Sequence, residues 1–218
     1  MSMGTIRKAQ QQLVSEGLAI SKGAPKGYIV RQTPERLVYQ PQQELRGPGL
    51  NRVKTTEHFV EDVKKSHRIP SQEITVSVQE APQPVQERLS STNEPTIVVV
   101  RKRIRYINSL PLNVTYSYYP LSIVQGSKIL KPEDIPEGVS SVLENLGYHQ
   151  VSAIDHWIAR VPTTDESNEL EIPAGTAILE QILTSYTEEG IPVRCTIVIL
   201  PGDRHTVEYK RNWGSDTC

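Results

Sequence analysis

The densest charged pattern in the chain is Arg101-Lys102-Arg103-Ile104-Arg105, inside an aliphatic, strand-like run over residues 96–107. On a strand, alternate residues share a face, so Arg101, Arg103 and Arg105 point the same way. Three like charges side by side are costly unless water or an anion meets them. Such a face can take a phosphate or a carboxylate, or it can be the solvated side of a half-buried sheet, and the second reading is taken for Arg101. No other cluster offers a reaction. His58, His67, His149, His156 and His205 are dispersed, with no pair at metal-ligand spacing. Asp155 and His156 are neighbours, which on a strand sends them to opposite faces and makes a poor dyad. There is no Gly-x-Ser-x-Gly elbow and no phosphate-binding glycine loop. Cys195 and Cys218 lie far apart without a second ligand nearby, so neither a disulfide framework nor a zinc site is expected and a reducing cytoplasm fits. Tyr118, Tyr119 and Trp157 are expected to pack in the core or along strands, not to stack on a ligand. No catalytic residue, metal or cofactor is expected.

The elements that must carry the arginines are strands. Residues 96–107 and 112–119 flank an Asn108-Ser109 turn and read as a hairpin, and residues 176–187 and 193–200 flank Glu189-Gly190-Ile191-Pro192 as another. Further strands are expected at 74–78 and 151–161, and helices at 57–65, 84–89 and 139–146, the last closed by Gly147. Strands joined by short turns or single helices imply an α+β layout, an antiparallel sheet with flanking helices that can enclose a cleft. Residues 32–50 mix Pro, Gly and Gln without sustained periodicity and read as a linker between a head at 1–31 and the large body; residues 213–218 are a tail.

With 218 residues there is room for one large or two small domains. The 24 basic residues are balanced by 25 acidic ones, so any attraction to nucleic acid must be local. It is local to the head, where Arg7, Lys8, Lys22, Lys26 and Arg31 face only Glu16. No apolar run approaches the length of a membrane span and no secretory core is present, so a soluble, cytoplasmic protein without a membrane partner is expected. Within the head, Ser2 can cap a helix with Ile6, Ala9 and Leu13 on one face, and Gly17-Leu18 supplies its left-handed stop. Residues 18–20 and 28–30 then form a hairpin with a basic, glycine-containing tip.

Ser2, Thr5-Ile6-Arg7, Ala9, Leu13, Glu16-Gly17-Leu18 and Gly27-Tyr28-Ile29-Val30 together resemble the recognition helix and wing of a GntR-type winged helix-turn-helix. The resemblance implies that Ser2, Met3, Gly4 and Thr5 lie nearest base edges in the major groove, with Arg7, Lys8, Lys22 and Lys26 at phosphates. It also implies two preceding helices, so the head reads as the C-terminal half of the motif, either because the start is assigned too late or because the copy is truncated at its N-terminus.

The body, over 51–212, resembles the UTRA ligand-binding domain of the HutC-like subgroup. The carriers are Arg101 to Arg105 with Leu110-Pro111 and Ser117-Tyr118-Tyr119-Pro120, then Gly126-Ser127, Asp134 to Gly138, Ala159 to Pro162, Glu166, Ile172 to Thr176, Gly190 to Val193 and Pro201-Gly202-Asp203-Arg204. The implied fold is a chorismate-lyase-like antiparallel sheet with flanking helices. The family's phosphate sensors place ligand-contacting arginines at the positions of Arg103 and Arg105. Thr115 and Arg194 stand where amino-sugar-phosphate sensors carry carboxylates, which argues against such an effector and leaves its identity open. The function implied is a ligand-responsive repressor that, with a complete head, binds operator DNA as a homodimer and is released by a small anionic effector. A sensor without DNA binding and a small chorismate-lyase-type enzyme remain as alternatives.

Overall fold

The computed structural model describes residues 2–23, 26–31, 36–41, 59–60, 63–90, 94–173 and 175–209. The expected tail at 213–218, residues 57–58 and 61–62 of the expected helix at 57–65 and most of the expected linker lie outside the described residues.

Helix α1 (Met3–Ser15) begins where Ser2 accepts a hydrogen bond from the Thr5 amide at 3.2 Å. It ends in a Schellman pair, Gly17 N–H to Val14 C=O and Leu18 N–H to Leu13 C=O, with Gly17 at φ 70°. Strands β1 (Ala19–Ser21) and β2 (Tyr28–Val30) pair antiparallel and expose Lys22 and Lys26 at their tip. Strand β3 (Leu37–Tyr39) falls inside the stretch read as linker: it pairs in parallel with β10 (His205–Val207). The reason is packing, since Leu37 sits against Val63, Ile107 and Leu112, which ties the chain to the body immediately after the head.

The body is a six-stranded sheet in the order β4 (Pro70–Glu80), β5 (Ile97–Ile107), β6 (Leu110–Pro120), β9 (Pro192–Pro201), β8 (Ile178–Tyr186), β7 (Ser152–Arg160), antiparallel throughout. The β5–β6 turn has Asn108 and Ser109 both at positive φ, the mirror-image turn that suits the twist of a hairpin. Helix α2 (Gln83–Leu89) packs Val85 and Leu89 on one sheet face against Val98, Val100, Tyr118, Ile182 and Cys195. On the same face, α5 (Thr164–Glu169), which the pattern of apolar residues does not announce, is set by a capping box between Thr163 and Glu166; Leu170 and Ile172 follow it into the core. Helices α3 (Leu121–Val124) and α4 (Val139–Asn145), with the 3₁₀ turn Lys128–Leu130 between them, cover the other face over Val99 and Tyr119. Helical residues 59–60 and 63–65 cover the far end of that second face.

Candidate functional site

Alternation places Arg101, Arg103, Arg105, Thr115 and Ser117 on the second face, between the α3–α4 layer and Phe59. The three arginines have different fates. Arg101 was expected to be solvated, and the structure corrects this: it is buried and donates to the carbonyls of Ile129 (3.1 Å), Lys131 and Glu133 (3.0 Å). Burial pushes its pKa down, and the carbonyl oxygens of a loop take the place of water around its charge. It is a structural arginine. Arg103 lies opposite Thr115, and its Nε is buried without a hydrogen-bond partner among the described residues. Arg105 lies opposite Asn113 with its guanidinium over the Phe59 ring, 4.6 Å from the centroid.

Thr115 is buried and faces Val198 on β9 as well as Arg103 on β5. The wall also carries buried Asn113, Gln181, Ser185 and Thr196, polar groups that apolar periodicity alone assigns to no role. Arg194 is four residues along β9 from Val198, about 13 Å at strand rise, and its Nη2 reaches Ser185 Oγ at 3.4 Å. Arg103, Arg105 and Thr115 are therefore neighbours across paired strands, whereas Arg194 stands at the far end of the same face.

Tyr118 and Tyr119 are core residues as expected, with burial raising the Tyr118 hydroxyl to about 12. Trp157 is half-buried, edge-on to Tyr39 and Tyr209. Asp155 and His156 do face opposite sides, and Asp155 accepts from Trp157 Nε1 at 3.0 Å. The opposite sheet face holds a trough of about 860 Å³ between the sheet and α5. Its cations are already engaged by carboxylates, Lys102 by Glu169 and Arg160 by Glu166 (2.6 Å) and Glu180 (2.5 Å).

In the head, Ser2, Met3, Gly4, Thr5, Arg7 and Lys8 are all exposed on α1, as are Lys22 and Lys26 on the hairpin, so every expected DNA-facing side chain is accessible. Ile6 and Leu13 are also open to solvent. The head is seated on the body. Arg31, at the end of β2, pairs with Asp203 in the β9–β10 turn and donates to Gly17 C=O at 3.3 Å. Gly175, at φ +79°, lies so near the end of α1 that a Cβ there would be 3.0 Å from Ser15 O. Next to Asp203, buried Arg204 donates to the carbonyls of Leu170 (2.8 Å), Glu171 (2.9 Å) and Pro111. The residues Pro201-Gly202-Asp203-Arg204 were visible as a motif, but their partners lie too far away in sequence to be read from it.

Comparison with known proteins agrees with this architecture. Residues 65–206 match the UTRA domain family model. An uncharacterized HTH-type transcriptional regulator of Streptomyces coelicolor is 28% identical over 222 residues, covering 95% of this chain and 78% of the relative. The uncharacterized HTH-type transcriptional regulator YurK of Bacillus subtilis is 26% identical over 214 residues, covering 93% and 77%. Among solved structures, PhnF from Mycobacterium smegmatis superposes with a TM-score of 0.62 at 15% identity, covering 97% of this chain and 86% of that one. The C-terminal domain of the histidine utilization repressor from Pseudomonas syringae gives 0.55 at 18% identity, covering 66% and 100%. These last two similarities speak to the fold. With a six-stranded antiparallel sheet, its flanking helices and a family match running from residue 65 to residue 206, the chain belongs to the UTRA domain family, and its relatives are helix-turn-helix transcriptional regulators.

Proposed function

We propose that the chain is a ligand-responsive DNA-binding regulator of the HutC-like subgroup, a cytoplasmic repressor that leaves its operator when a small anionic effector binds. Residues 1–31 are its DNA-contacting head, with Ser2 to Thr5 at bases and Arg7, Lys8, Lys22 and Lys26 at phosphates. Residues 51–212 are its sensing body, joined to the head through 32–50, with 213–218 as a tail. Arg103, Arg105, Thr115 and Arg194 contact the effector, and the body holds two copies together as a homodimer.

The observation that carries the reading is the covered sheet face where Arg103 and Arg105 stand side by side next to Thr115. Arg101 on the same strand is consumed by carbonyls, whereas the Arg103 Nε has no hydrogen-bond partner among the described residues. An effector changes DNA binding only through different affinities for two head arrangements. The seat of the head, Arg31 on Asp203 and the end of α1 on Gly175, supplies a contact that two arrangements can make or break. A lyase-type enzyme is not favoured, because the relatives are transcription regulators.

The test is thermal stabilisation by small anions. Inorganic phosphate, phosphomonoesters and small carboxylates are screened against the protein, and at least one is expected to raise the melting temperature in an Arg103- and Arg105-dependent way. Unchanged stabilisation in Arg103→Ala and Arg105→Ala would sink the assignment.

A further inference from the structure

The arginine-bearing face continues beyond Thr115 to a second polar cluster. The cross-strand row runs Arg103, Thr115, Val198, Gln181, Trp157 from β5 to β7. Gln181 is fully buried: its Oε1 accepts from the Tyr39 hydroxyl at 2.7 Å, and its Nε2 has no hydrogen-bond partner among the described residues. Asp155 is two residues from Trp157 on the same face of β7. Its Oδ2 accepts from Trp157 Nε1 (3.0 Å) and from the Tyr209 hydroxyl (2.9 Å), while its Oδ1 is buried and likewise without a partner there. Trp157 stands between Tyr39 and Tyr209, ring centroids 6.1 and 6.3 Å away.

An amide donor and a carboxylate acceptor, each withdrawn from water and unmatched, are costly to keep. One chemical group answers both: a hydroxyl accepts from an N–H while donating to a carboxylate. A second anion is repelled by Asp155, and an ammonium has nothing to offer Gln181 Nε2. The aromatic frame suits the C–H surface of a polyhydroxylated carbon chain. We propose that Gln181 and Asp155 form a hydroxyl-binding subsite at the β7–β8 end of the arginine face, so that the effector is a polyhydroxylated anion. This rests on the anion reading of Arg103 and Arg105. Three strand spacings separate Arg103 from Gln181, about 14 Å between Cα atoms, a span that calls for an extended ligand.

The experiment measures binding to the full chain by calorimetry. The probes are inorganic phosphate, butyl phosphate as a chain without hydroxyls, and three hydroxylated phosphates: glycerol 3-phosphate, sorbitol 6-phosphate and glucose 6-phosphate. The wild-type protein is expected to prefer at least one hydroxylated probe over butyl phosphate. Asp155→Asn, which keeps an oxygen for Trp157 and Tyr209, and Gln181→Met are each expected to cut that preference roughly tenfold or more while leaving inorganic phosphate unchanged. Arg103→Ala is expected to weaken every probe. If Arg103-dependent binding is present but the preference is absent, or survives both substitutions, the subsite is wrong and the anion site stands. If no probe binds in an Arg103-dependent way, the anion reading fails and the subsite falls with it. The two variants are independent, so loss of folding in one leaves the other to decide.

Discussion

Replacing Gly175 by alanine tests whether the head is seated on the body. The φ of +79° at Gly175 costs a residue with a Cβ about 1 to 2 kcal/mol, and the stiffer unfolded chain returns up to about 1 kcal/mol. Backbone strain alone therefore predicts a net loss near 1 kcal/mol. The same Cβ would meet Ser15 O at 3.0 Å, and Glu16 C and Gly17 N at 3.3 Å. These are backbone atoms at the end of α1 and cannot rotate away, so a further loss of about 1 to 3 kcal/mol is expected from overpacking. Gly126 and Gly190 provide the control, both at φ +76° with nothing within 4 Å of the added carbon. Urea unfolding of the three alanine variants separates the terms: Gly126→Ala and Gly190→Ala should each lose about 1 kcal/mol, and Gly175→Ala about 2 to 4. Faster proteolysis of the head in Gly175→Ala alone should accompany the larger loss. Equal destabilisation in all three would refute the contact, because the clash exists only if α1 rests against the body.

Burial pushes the His205 imidazole down to about 4, and its Nδ1 lies 3.0 Å from Pro201 O. The unfolded chain takes up the proton near pH 6.5, so stability is constant above that value and falls as pH drops towards 4, by about 2 kcal/mol at pH 5; urea titrations of wild type and His205→Gln should diverge only in that window, and parallel curves would refute the shift. For operator DNA, Lys22→Ala and Lys26→Ala should lower the slope of log affinity against log salt by about 0.9 per phosphate contact removed. An unchanged slope would take the wing tip off the phosphates. Sedimentation at micromolar concentration should give a species of twice 24.5 kDa, and a concentration-independent monomer would reject the body-mediated dimer.

The periodicities that local chemistry controls were legible in the sequence. Alternation through residues 97–107, the Asn108-Ser109 turn, the Ser2 cap and the Gly17 stop all depend on residues within a few positions of one another, and each stands as read. Alternation likewise put Arg101, Arg103 and Arg105 on one face. Which of them is spare was a tertiary decision, since the carbonyls that absorb Arg101 belong to a loop 28 to 32 residues further on. Strand β3 escaped detection because three residues are too few to show a period, and its partner β10 lies at the other end of the chain. The same distance hid the seat of the head and the Tyr39–Gln181 bond, whose partners are 172 and 142 residues apart. Hydrophobic alternation states which face a side chain takes. Only the packed chain determines what waits on that face, because burial and hydrogen-bond supply there come from segments that no local rule brings together.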